Sequence, residues 1–328
     1  MDNDQILAIC DKEVLAKAAQ LCGTSKENVK FLDISENIVY EYQRNKLPLI
    51  MRISHRKGRD KKQIQAELDW ILYLHDHGAP VHLPVPSIRG NLVETVKVRH
   101  QDFQVVSFGK LEGKILEDED VTDEFIPKWG QAVGKLHALT KDYQPLHPDC
   151  RRFEWCDEDD IVNLYKYIPV REKLVRSKFR ILIEKLKNLP QDRDSYGLIH
   201  SDIHYGNFLV KDGKIGIFDF DDSMYSWFML DIATIWYWAL YLPQGDDDKK
   251  GYMNNFKNLF LEGYRRENEI DEWWLDKISL FLQYQEMLLF TYMCRIYNLN
   301  KLTENQQELL NKYKNRIEND ILFFGMME

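Results

Sequence analysis

The sequence predicts an α+β chain of two lobes: a small strand-rich N-terminal lobe with one main helix over residues 1–108, and a larger, mostly helical lobe over 109–328. Three observations predict it. Alternating apolar runs bounded by turn residues crowd the first third, helical periodicity dominates the rest, and no repeat, low-complexity tract or Gly/Ser linker divides the chain further. With 328 residues and 39.1 kDa, the chain is long enough to bury a sizeable core in either lobe.

In order along the chain, "NIVYEY" and "LPLIMRIS" read as strands, each bounded by polar or turn residues. "DKKQIQAELDWILYLHDHG" then predicts a helix, with Asp60 as N-cap, Ile64, Leu68, Ile71 and Leu72 on one face, and Gly78 as the stop. "LVETVKV" and "DFQVVSF" add two strands, and the chain turns through "GKLEGKIL" into helical patterns. Late in the second lobe, "NFLVKDGKIGIF" holds two apolar runs around Asp212-Gly213, which predicts a type I′ hairpin because both residues tolerate positive φ. "FMLDIATIWYWALYL" is interrupted by Asp231 and too short for a bilayer, so it predicts a buried helix.

Composition excludes several classes. A net charge of −9 argues against a general nucleic-acid binder, which needs clustered Lys and Arg, and suits cationic small substrates better. The N-terminus lacks a basic region followed by an apolar stretch, so neither export nor a membrane partner is expected. Five cysteines at scattered spacings, without C-x-x-C, predict free thiols in a reducing cytoplasm. His147, Cys150 and Cys156 have no second ligand pair to complete a zinc site.

The chemistry concentrates in "GLIHSDIHYGNFLVKDGKIGIFDFDD", Gly197 to Asp222. The Asp212-Gly213 hairpin folds Asn207 and Asp219 to within about one residue of register, roughly 5 Å apart by backbone, so that one hard cation could touch both. Asp202 precedes Asn207 by five residues on the entering loop, free to meet a hydroxyl proton. Phosphoryl transfer needs a positioned metal, phosphates and nucleophile, and little covalent chemistry from the protein. His200, Asp202 and His204 also alternate, and on an extended strand would face one way as a hydrolytic metal site does. That reading needs ligands from elsewhere, and the other histidines form no second pattern.

His200-Ser201-Asp202, Asn207 and Asp219-Phe220-Asp221 resemble the H-x-D-x-x-x-x-N and D-x-[DEG] signatures of the aminoglycoside phosphotransferase and choline kinase family. The resemblance runs from about Ile34 to Thr234 and implies a protein-kinase-like fold. It implies Asp202 as catalytic base, Asn207 and Asp219 as Mg²⁺ ligands, and Asp221 as a second acid there. His200 and Asp231 would support the catalytic loop, and "GKLHAL" resembles the helix before it. The implied activity is transfer of phosphate from ATP or GTP to a hydroxyl of a small molecule. In the nucleotide lobe, Arg52 stands where the family commonly has a strand Lys, with Glu67 as its helix partner. Backbone groups near Gly109 and Leu111, in "SFGKLEG", would meet the base.

The loop "LDISENIVYEY" contains no glycine, unlike a Gly-rich phosphate loop. With Arg52, that leaves open a catalytically silent nucleotide-binding protein; a bacterial-type Ser/Thr protein kinase would use the same residues. For the acceptor, "RRFEWCDEDD" supplies Asp157 and Glu158, and Asp222 follows the metal ligand. These acids, with Trp155 and Trp227, predict a cationic or amino-bearing alcohol. The same acids also suit the N-terminus of a following helix.

Overall fold

Three tight turns have positive φ at both central residues: Asn45 and Lys46, Arg99 and His100, Asp212 and Gly213. This is the geometry that lets a two-residue loop follow the twist of its strands. The computed structural model describes residues 10–35, 37–55, 59–117, 120–242 and 249–321. Contacts divide the chain into two compact units, one of Met1–Lys114, Tyr143–Arg152 and Leu209–Asp221, the other of Ile115–Asp142, Phe153–Phe208 and Asp222–Glu328.

In the first unit, β1 (Lys30–Ile34), β2 (Asn37–Arg44), β3 (Leu47–Ser54), β4 (Pro84–Val85), β5 (Val93–Val98) and β6 (Gln101–Gly109) form one sheet. Its order is β1-β2-β3-β6-β4, with β5 also paired to β6. The strands read from the sequence are β2, β3, β5 and β6. The sequence reading gave this lobe one main helix; among the described residues it has two α-helices, α1 (Lys12–Cys22) and α2 (Lys61–Asp76).

Helix α1 begins at Asp11, whose carboxylate accepts from the backbone N–H of Glu13 and Val14. Its apolar stripe of Val14, Ala18 and Leu21 packs with Met51 and Ile53 of β3 in one hydrophobic core. Asp60 caps α2 by accepting from Gln63 N, and Gly78, at φ 80°, follows its end. Strand β3 is buried on both faces, Met51 and Ile53 on one and Arg52 on the other. The predicted hairpin is β9 (Phe208–Lys211) and β10 (Lys214–Ile217), in a small sheet of order β10-β9-β7 with β7 at Lys114–Ile115.

In the second unit, β8 (Tyr196–Ile199) pairs antiparallel with β11 (Met224–Trp227). Around them lie α3 (Ile126–Thr140), α4 (Asp159–Val162), α5 (Leu164–Tyr167), α6 (Lys173–Lys187), α7 (Phe228–Ala239), α8 (Lys249–Tyr264), α9 (Glu272–Leu275), α10 (Ile278–Ile296) and α11 (Glu304–Glu318). Helix α7 is the apolar stretch read from the sequence; of its residues only Trp238 is not buried. Helices α3 and α8 meet backbone to backbone. A Cβ at Gly130 would lie 2.0 Å from Phe260 O, and one at Gly134 2.5 Å from Tyr264 O. This approach brings His137 of α3 to Tyr264. No described helix is long and apolar enough to cross a membrane.

Candidate active site

Strand β8 delivers the chain to the loop 200–207, which Ile203, fully buried, anchors to the interior. Asp231, in the first turn of α7, holds the loop from beneath. Its Oδ2 accepts from His200 N (3.0 Å) and its Oδ1 from Ser201 N (2.7 Å). His137 Nε2 lies 3.1 Å from Oδ2, and His137 Nδ1 lies 2.8 Å from the Tyr264 hydroxyl. Asp231 and His137 have no exposure, so each of these bonds replaces water that cannot enter. Ser201 takes φ 72°, uncommon for a residue with a side chain, and this stretch is where the two backbone N–H groups turn toward Asp231.

Asp202 is the open group of this loop, its side chain 39% exposed. Asn207 Nδ2 donates to Asp202 O at 2.8 Å and to Asp202 Oδ2 at 2.9 Å. Two acceptors assign that end of the amide as the nitrogen, which leaves Asn207 Oδ1 as an oxygen donor for a cation.

In the other unit, Arg52 and Glu67 come together as a two-pronged pair, NH1 to Oε1 at 2.8 Å and NH2 to Oε2 at 2.7 Å. Arg52 is 4% exposed and Glu67 0%. The guanidinium also lies over the Phe108 ring, 5.4 Å from its centre. Burial pulls the Arg52 pKa down, but the carboxylates of Glu67 and then Asp221 outweigh it and hold the value above the usual arginine range.

Asp221 sits among arginines: Arg52 NH1 is 3.9 Å and Arg59 Nε 3.7 Å from its carboxylate, and Arg152 donates to its carbonyl. Phe220 between the two acids is fully buried against Trp70 and His82. Asp219 takes φ 65°, in the left-handed region as Ser201 does. Gly109 donates its N–H to Leu83 O, and Leu111 packs over Gly216, where a Cβ would come within 3.2 Å of it.

Residues 31–270 match the model of the phosphotransferase enzyme family, APH. The chain belongs to this phosphotransferase family. It is 36% identical over 311 residues to amicoumacin kinase of Bacillus subtilis (strain 168), covering 94% of this chain and 92% of that protein. The solved structure of amicoumacin kinase hAmiN in complex with AMP-PNP, Ca²⁺ and Ami is 35% identical, with a TM-score of 0.92 over 98% of this chain and 97% of that one. The microcompartment-associated aminopropanol kinase shares the fold, at a TM-score of 0.76 and 21% identity over 95% and 99% of the two chains. The protein is a phosphotransferase that acts on small molecules, with an alcohol group as acceptor.

Around the phosphotransferase loop, the residues read as an acceptor wall are placed unevenly. Trp155 is 2% exposed and packs on Trp227 and Tyr284, so it serves the core and not a solvent-facing wall. Asp157 is exposed, while Glu158 and Asp222 are half-buried. Asp159 and Asp160 begin α4 and lie near Arg295, with Asp160 3.2 Å from its Nε. The alternation of His200, Asp202 and His204 does not present one ligand face: His200 is fully buried, and His204 turns toward Asp202. Among the described residues, no three His, Cys, Asp or Glu side chains gather as a metal shell.

Sequence reasoning missed His137, Arg59 and Arg152. Each acts through a partner distant in the chain, and the only local signal was the position of His137 in "GKLHAL". Asp231→Asn is expected to keep one acceptor oxygen and turn an N–H toward another N–H. Leaving such a buried donor unmet costs about 1–3 kcal/mol, to be read as a lower midpoint in denaturant unfolding; an unchanged midpoint would show that the loop does not depend on Asp231.

Proposed function

We propose that the protein is an ATP- and Mg²⁺-dependent kinase that phosphorylates a hydroxyl of amicoumacin or of a similar amino-bearing molecule. The observation that carries this reading is the end-to-end likeness to amicoumacin kinase, at 36% identity and 92% of its length.

The chemistry follows from the chain's own groups. Asp202 takes the proton of the acceptor hydroxyl; the freed oxygen pair bonds to the γ-phosphorus as the bond to the β-phosphate oxygen breaks, and ADP leaves with that electron pair. Arg52, fixed by Glu67, presents a guanidinium suited to phosphate oxygens. The divalent ion fits the residues present, since Asn207 Oδ1 and the Asp219 carboxylate are hard oxygen donors and the Asn207 nitrogen is already engaged by Asp202. When bound, such an ion offsets charge on the phosphates. Asp157, Glu158 and Asp222 favour a cationic acceptor by raising its local concentration.

The test is phosphate transfer from ATP or GTP with Mg²⁺ to amicoumacin, to simple amino alcohols and to the deaminated analogues of those alcohols. We expect transfer to amicoumacin, preference for amino over deaminated alcohols at low salt, and weaker Mg²⁺-dependent nucleotide binding in Asp219→Ala than in the parent. Equal use of the neutral alcohols would defeat the cationic acceptor. Absence of transfer to amicoumacin beside strong transfer to another alcohol would replace the substrate.

A further inference from the structure

We propose that His204 is a positioning residue for Asp202, one that fixes Oδ1 as the carboxylate oxygen that takes the acceptor's proton. The proposal rests on the assignment of Asp202 as base. His204 Nδ1 accepts the backbone N–H of Gly206 at 2.9 Å, so the proton of the neutral ring is on Nε2. Nε2 lies 3.6 Å from Asp202 Oδ2 and 3.4 Å from Asn207 Nδ2. Both hydrogens of that amide are given to Asp202, one to its carbonyl and one to Oδ2. Of the two groups near it, only Oδ2 is therefore able to accept from the Nε2–H, and that oxygen already holds the Asn207 donor. At 3.6 Å the imidazole is beyond hydrogen-bond length; such contacts are commonly long without substrate and tighten in the reactive complex.

The ring has little room to turn away. Trp238 of α7 lies against it at 5.4 Å between ring centres, and Tyr205 meets it edge-on at 5.8 Å. A Cβ at Gly206 would come within 2.6 Å of His204 Cε1, so the ring occupies the space a side chain would need there. Helix α7 thus supports the loop twice, by Asp231 under its backbone and by Trp238 against this ring.

A purely structural role would consist of the Nδ1 bond to Gly206 alone, and substitution separates the two roles. Asparagine at 204 keeps an acceptor for the N–H two residues on, as in an Asx turn, and removes Nε2. For His204→Asn we expect parent-like unfolding, unchanged KM for nucleotide and acceptor, and kcat lower on the order of tenfold, the worth of one hydrogen bond to a charged group. His204→Gln, whose amide N–H can reach Oδ2, should recover part of that loss. Because His204 acts through Asp202, adding His204→Asn to Asp202→Asn should cost nothing further. Parent kcat in His204→Asn, full additivity with Asp202→Asn, or loss of the folded state in His204→Asn would each overturn the positioning role. If Asp202→Asn itself keeps full turnover, the base assignment falls and this proposal with it; an inactive Asp202→Asn beside a fully active His204→Asn overturns the His204 role alone.

Discussion

Asp202→Asn is expected to lower kcat by about 10²- to 10⁴-fold, the usual contribution of a general base, with nucleotide affinity staying near that of the parent. The arrangement around Asp202 explains why so small a change should be so costly. Asn207 Nδ2 donates to Oδ2, so an asparagine at 202 settles with its carbonyl oxygen there. Its NH₂ group then occupies the place of Oδ1, where the acceptor hydroxyl needs an acceptor and would meet a donor. The bond from Asn207 to the backbone carbonyl of residue 202 is untouched, so the loop keeps its path. Steady-state kinetics with saturating acceptor, paired with calorimetric nucleotide binding, measure the two effects separately. Turnover within a few-fold of the parent would remove Asp202 from the proton transfer.

The parts of the fold that local chemistry dictates were legible in the sequence. Asp212-Gly213 makes its hairpin because its φ values, 51° and 70°, are ones those two residues accept cheaply. Helix α2 begins and ends where Asp60 and Gly78 say it should. Helix α1 was not read from "KEVLAKAAQLC", since small residues such as Ala18 and Ala19 mark its buried face as faintly as any apolar side chain can.

At the site, spacing pointed to Asp202, Asn207 and Asp219 because one loop and one hairpin carry them. Arg59 and Arg152 depend on tertiary placement beside Asp221, which no periodicity encodes. Trp155 and Trp227 illustrate the opposite error. An aromatic next to acids reads as a cation-binding face, yet tryptophan's large apolar surface more readily fills a core, as both do here.

Glu67→Ala is expected to destabilise the protein by about 3–5 kcal/mol, the cost of breaking a buried ion pair from one side. Arg52 would keep Asp221 only at 3.9 Å and lose two bonds of 2.7 and 2.8 Å, in surroundings that admit almost no water. Its charge cannot be relieved by loss of a proton, because arginine stays charged in proteins. Replacing both partners together, Arg52→Met with Glu67→Leu, should recover much of that loss, since apolar groups of similar volume carry no desolvation penalty and Phe108 already lines the position. The double variant separates stability from function: it is expected to unfold nearer the parent in denaturant and to bind nucleotide weakly, having no guanidinium for the phosphates. Parent-like nucleotide affinity in the double variant would show that Arg52 serves the fold alone. Parent-like stability in Glu67→Ala would mean that Asp221 suffices to hold Arg52, making Glu67 dispensable to the pair.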